Sequence, residues 1–153
     1  MCALWLFGCG REGESACVTG ERCVGSLAGL VINPDEGGSG GSGGIIVESG
    51  EWELTGCVVH GAAAEAGKGA EPGVLVRAGA VCDLHHCHVR ADGSCFAVKF
   101  ERGARGCVRS CVLSSLQRGD IETGAGACGL QDGVEVEDDS DGCVVSDNTW
   151  LPR

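Results

Sequence analysis

The residues best equipped for chemistry are gathered in four short stretches. His85-His86-Cys87-His88, with Cys82 just upstream, is the densest group of imidazole and thiol ligands. Side chains alternate between the two faces of a strand, so a strand here presents His86 and His88 on one face and Cys87 on the other. Two convergent ligands fall short of the four that a structural zinc site wants, and no Cys-x-x-Cys pair stands by to complete the set. The plainer reading is a surface histidine pair above a core cysteine. The acidic run Glu135, Glu137, Asp138, Asp139 and Asp141 is the sharpest electrostatic feature. Asp138, Asp139 and Asp141 offer the carboxylate oxygens that a calcium ion takes, or carboxylates for acid–base work on a sugar. The glycine-spaced nonapeptide rhythm of calcium-binding repeats is absent. Charge that protects an open sheet edge explains the run more simply.

Cys107 and Cys111 stand four apart around an expected bend, spacing that would suit a redox pair. No neighbouring base in the sequence suggests a lowered thiol pKa, so structural cysteine is the expectation. Lys99, Glu101 and Arg102 follow one another, with Arg77 and Glu48 at matching points of earlier repeats. Ion pairs between neighbouring strands account for this mixture of signs. No phosphate-cradling glycine loop, Ser-His-Asp arrangement or nucleophile elbow is present. No catalytic residue and no cofactor are expected.

The elements that position these groups form a repeat. Ile45-Ile46-Val47, Val74-Leu75-Val76, Val98-Lys99-Phe100 and Val134-Glu135-Val136 each open a unit. The units close on Leu54-Thr55-Gly56-Cys57-Val58-Val59, Leu84-His85-His86-Cys87-His88-Val89, Val108-Arg109-Ser110-Cys111-Val112-Leu113 and Val144-Val145-Ser146-Asp147. Aligned this way, Ile46, Val76, Phe100 and Val136 share one column. Leu54, Leu84, Val108 and Val144 share a second, and Cys57, Cys87 and Cys111 a third. The spacings of 30, 24 and 36 residues place the variation after the second strand of each unit. Constant strands with variable loops on one side are the signature of a solenoid. Leu6-Phe7-Gly8-Cys9 matches Leu54-Thr55-Gly56-Cys57, and Gly29-Leu30-Val31-Ile32 matches an opening strand, so residues 1–36 are expected to add further coils. After Val145 the chain has room only for a partial cap by Trp150 and Leu151. Both ends thus read as open coils of a longer protein.

Gly73-Val74-Leu75-Val76-Arg77-Ala78-Gly79-Ala80 with Leu84-His85-His86-Cys87-His88-Val89 resembles the right-handed parallel β-helix of the pectin-lyase-like superfamily. It is closest in flavour to the repeats of eukaryotic F-box β-helix proteins and related intracellular modules. The resemblance spans roughly residues 45–148 and, more faintly, 4–32. It implies an all-β solenoid of about four to five coils. It does not specify a function, because the superfamily holds polysaccharide lyases, hydrolases, epimerases and non-catalytic scaffolds alike.

Composition narrows the field. With 4% aromatic residues and a single Met, the core must be built from Val, Leu, Ile, Ala and Cys. A formal net charge of −11 leaves no clustered Lys and Arg for a nucleic-acid backbone or an anionic membrane surface. No apolar run approaches the roughly 18 residues of a membrane span. Twelve cysteines would suit a secreted disulfide scaffold. However, no secretory leader is evident and the cysteines fall in core columns, where a free thiol acts as a small hydrophobe. Reduced thiols in a cytoplasmic or nuclear protein are expected. Residues 37–44, a pure Gly/Ser stretch, look like an engineered linker in place of a longer loop. Residues 45–153 would then hold the main coils.

These readings point to a non-enzymatic interaction scaffold. Its two largest insertions, His60–Pro72 and Ser114–Asp132, follow equivalent strands and would present His60, Glu65, Lys68, Arg118, Asp120 and Glu122 to a protein partner. A basic patch on that partner would complement the acidic chain. A carbohydrate-active or glycan-binding β-helix is the rival, and end-to-end pairing of uncapped coils into a homodimer is a third reading.

Overall fold

Alternation of apolar and polar residues makes short strands throughout. The computed structural model describes residues 2–7, 15–20, 24–32, 44–61, 72–91, 96–115, 129–131, 134–136 and 143–152, and contains no helix among them. The strands in chain order begin with β1 (Cys2–Phe7), β2 (Ser15–Gly20), β3 (Val24–Ala28), β4 (Val31–Ile32), β5 (Gly44–Val47) and β6 (Glu51–Thr55). Then come β7 (Val58–Gly61), β8 (Val74–Val76), β9 (Val81–His85), β10 (His88–Ala91), β11 (Val98–Phe100) and β12 (Arg105–Arg109). The last five are β13 (Val112–Ser115), β14 (Gly129–Gln131), β15 (Val134–Val136), β16 (Cys143–Ser146) and β17 (Thr149–Pro152).

The strands form three sheets, visited in rotation. The first runs β14-β15-β11-β8-β5-β1-β2, the second β16-β12-β9-β6-β3, and the third β17-β13-β10-β7-β4. Thus β5, β6 and β7 enter the first, second and third sheets in turn, and β8–β10, β11–β13 and β15–β17 repeat the order. Pairing is parallel within the second and third sheets and along β5-β8-β11-β15. This all-β, parallel arrangement is compatible with the expected β-helix.

Several equivalences differ from those expected. Ile46 pairs with Leu75, and it is Val47 that aligns with Val76. Val108 aligns with Val145, leaving Val144 opposite Cys107 with 42% of its surface exposed. The cause is the link between first and second sheets. It spans residues 48–50 in one pass, 77–80 and 101–104 in the next two, and 137–142 in the last, so no single offset serves both sheets. The N-terminal matches also move. Leu27-Ala28, not Leu6-Phe7, aligns with Leu54-Thr55. Val31-Ile32 pairs with Val58-Val59 as a third-sheet strand. β1 pairs antiparallel with both β2 and β5, and β14 pairs antiparallel with β15. Trp150 and Leu151 lie in β17, which extends the third sheet parallel to β13.

The core lies between the inner faces. Val47, Val74, Val76, Val98, Phe100 and Val134 line it from the first sheet, Leu54, Leu84 and Val108 from the second, and Ile32, Val59, Val89 and Leu113 from the third, all buried. Each such side chain contributes roughly 1.5–3 kcal/mol by leaving water. Trp52 has a small residue on either side, Gly25 and Cys82. Trp52 lies over Gly25, where a Cβ would stand 2.7 Å from indole Cε3. Gly44, within the stretch read as linker, opens β5 at φ 134°, and a Cβ there would strike the Gly73 carbonyl.

The link between second and third sheets is two residues in every pass: 29–30, 56–57, 86–87, 110–111 and 147–148. Its first residue is left-handed each time, with φ 65° at Gly29, 62° at Gly56, 52° at His86, 53° at Ser110 and 56° at Asp147. Its second residue carries a ladder. The Cys57, Cys87 and Cys111 thiols donate to the carbonyls of Leu27, Leu54 and Leu84 one layer away, at 3.5, 3.2 and 3.6 Å. Asn148 makes the same reach, its Nδ2 donating to the Val108 carbonyl at 2.9 Å while Oδ1 accepts from the Cys111 N–H at 2.9 Å. The cysteine column is therefore a hydrogen-bonded seam as well as a packing layer.

Candidate functional site

The left-handed residue at position 86 breaks the His85–His88 run in two. His85 ends β9 in the second sheet, His88 begins β10 in the third, and His86 is exposed on the corner between them. The expected pairing of His86 with His88 on one strand face is therefore incorrect, because a corner and not a strand joins them. Cys82 and Cys87 both point inward and are buried. His88 instead meets His60 of β7, ring centroids 6.2 Å apart and edge to face. Of the other residues expected to bind a partner, Glu65, Lys68, Arg118, Asp120 and Glu122 lie outside the described residues. So do the candidate cation ligands Asp138, Asp139 and Asp141.

The outer face of the second sheet brings together three groups the linear sequence keeps apart. Cys107 of β12 lies directly opposite Asp83 of β9, and His85 is two residues along β9 on the same face. Cys107 Sγ is 3.7 Å from His85 Nε2. One ligand atom from each of Asp83, His85 and Cys107 falls within a 4.8 Å span, all three half-buried. Gly106 contributes to this geometry. Its φ of 146° and its contact with the Cys82 carbonyl exclude any side chain. The next N–H, that of Cys107, donates to Asp83 Oδ1 at 3.0 Å. Glu53 continues the Asp83 column on β6, and Arg109 stands opposite His85.

A thiol beside an imidazole and a carboxylate invites comparison with a cysteine nucleophile, but the electrostatics oppose it. Burial, then the Asp83 carboxylate, push the Cys107 thiol from its ordinary 9.0 up to about 11, against the pull of Arg109. Nucleophilic cysteines need the opposite shift. The sequence signal for this cluster is the 24-residue spacing, which aligns Asp83 with Cys107.

Elsewhere, charged groups are engaged with one another. Arg77 Nη1 bonds Glu101 Oε1 at 2.9 Å and its Nε lies 3.8 Å from Glu48 Oε1, so one guanidinium links three layers as the sequence anticipated. Lys99 Nζ sits 5.8 Å from the centre of the Phe96 ring. Cys57, Cys82, Cys87, Cys107 and Cys111 are free thiols. Burial pushes the Cys82 thiol up, and a hydrogen bond shared with Cys111, then burial, does the same for Cys87.

Compared with known families, curated proteins and solved structures, the chain finds no match to a family model, to a curated protein or to a solved structure.

Proposed function

We propose that the chain is a non-catalytic interaction scaffold: a right-handed parallel β-helix of four to five coils that binds a protein partner through long segments on one side. One observation carries this reading. The chain passes from second to third sheet by two residues every time, yet returns from third to first by residues 33–43, 62–73, 92–97 and 116–128. Length varies freely along one side of an otherwise repetitive frame, the pattern by which repeat proteins vary their binding surface. The net charge of −11 favours a partner with a basic patch.

The polysaccharide-lyase reading is less well supported. It needs a free acid and base near Lys99, Glu101 and Glu135, and Glu101 is already held by Arg77. Self-association has a specific observation behind it: among the described residues, β3 and β4 at one end and β16 and β17 at the other each have a single neighbour strand. Such edges can pair with a second chain.

The test is affinity capture from lysate using the intact chain and two folded variants, one with residues 62–71 and one with 116–128 replaced by a short Gly/Ser link. A protein retained by the intact chain and lost from a shortened variant supports the scaffold reading. Equal retention by all three, or retention only on an acidic polysaccharide, overturns it. Concentration-dependent sedimentation with no partner in the mixture would favour self-association instead.

A further inference from the structure

We infer that Asp83, His85 and Cys107 form a zinc-class metal site on the outer face of the second sheet, with three protein ligands and an open fourth position. The inference is independent of the scaffold reading and rests on a different face of the molecule.

The donor set selects the ion. A thiolate, an imidazole and a carboxylate together suit zinc and its neighbours in the first transition row, whereas magnesium and calcium want oxygen donors throughout. The separation of the donors also fits. Bonds of about 2.3 Å to sulfur and about 2.0–2.1 Å to nitrogen, at a tetrahedral angle, put the two donor atoms about 3.6 Å apart. Cys107 Sγ and His85 Nε2 are 3.7 Å apart. The Cys107 N–H, donating to Asp83 Oδ1, orients the carboxylate, which offers one oxygen within the span of the cluster. All three ligands stand on hydrogen-bonded strands rather than loops, so little ordering is needed on binding.

The surrounding charge suits a divalent cation. Asp83 and an ionised Cys107 supply two negative charges, and Glu51 and Glu53 on the same face of β6 add two more, against the positive charges of Arg105 and Arg109 on either side of Cys107. On binding, the thiol proton leaves to solvent as the metal–sulfur bond forms, with no change of oxidation state. The fourth position faces outward, where water or a side chain from a partner completes the shell.

The test is titration of the metal-stripped protein with cobalt(II), a spectroscopic stand-in for zinc. We expect one equivalent to bind, with a thiolate-to-cobalt charge-transfer band in the near ultraviolet and visible bands of four-coordinate intensity, both abolished by zinc. Cys107→Ser should remove the charge-transfer band, and His85→Ala and Asp83→Ala should each weaken cobalt binding at least tenfold. A second measurement needs no variant. Zinc should slow alkylation of Cys107 at least tenfold while leaving half-buried Cys143 unchanged, as mapped on peptides. Absence of cobalt and zinc uptake by the folded protein overturns the site. Uptake that survives Cys107→Ser unaltered, or protection that does not favour Cys107, overturns it as well.

Discussion

The corner between second and third sheets and the passage from third back to first are built on opposite terms. At the corner, every pass uses two residues and the same left-handed first position, and in the last four passes the second side chain reaches a carbonyl one layer away. The residues themselves change: Gly, His, Ser and Asp hold the first position, and Leu, Cys and Asn the second. In the return passage neither length nor composition is held. Constancy therefore resides in backbone geometry and hydrogen bonding at the corner, and side-chain identity there is free within those limits. Chain length can change in the return passage because lengthening a loop costs little free energy.

The contrast can be broken most severely by an insertion. One Gly placed between Cys87 and His88 should shift β10 by a residue, turning Val89 and Ala91 outward and Arg90 inward. Loss of Val89 burial alone costs about 1.5–3 kcal/mol, and a buried guanidinium adds to it. Urea denaturation should show most of the stability gone. The same Gly inserted among residues 92–95 should change the midpoint little, and equal damage from both would refute the contrast.

Asn148→Ala should cost about 1–3 kcal/mol, because it leaves the Cys111 N–H and the Val108 carbonyl unpaired in a partly buried seam. Denaturation measures the cost, and a change under about 0.3 kcal/mol would show that the ladder is not a stabilising device. Next comes the left-handed position itself. Because L-residues in this region cost about 1–2 kcal/mol and Gly is freer, Ser110→Gly should stabilise by a few tenths up to about 1 kcal/mol. Gly56→Val, the converse, should destabilise by about 1–2 kcal/mol, and thermal melts of the two variants should move in opposite directions. Smallest of all, shortening residues 62–71 by half should alter stability by about 0.6 kcal/mol or less. A larger loss would mean that this segment packs on the frame and is not free to vary.

Much of the frame was readable in the residues. Val74, Val76, Val98 and Phe100, at period two, and Cys57, Cys87 and Cys111, in one column, are all buried, because burial leaves an alternation that one chain records by itself. The sheet-to-sheet register was less readable. Aligning Ile46 with Val76 and Val144 with Val108 requires a constant offset, and the first-to-second link is not constant. The candidate site was hidden for a related reason. His85 and His88 are neighbours in sequence but belong to different sheets, whereas Asp83 and Cys107 are 24 residues apart and face each other.

By itself, then, the sequence determined an all-β chain of short repeated strands with a small-residue core, a strongly acidic surface and a cysteine seam. These follow from side-chain size, charge and alternation, which are local properties. Only the tertiary structure decided that β1 and β14 join the first sheet antiparallel, that the His85–His88 run turns a corner, and that Asp83, His85 and Cys107 converge. Each of these depends on which strands become neighbours and on a left-handed residue or a glycine bend between them. A difference of one residue in a link reassigns every pairing beyond it, and that difference is resolved by packing across layers rather than along the chain.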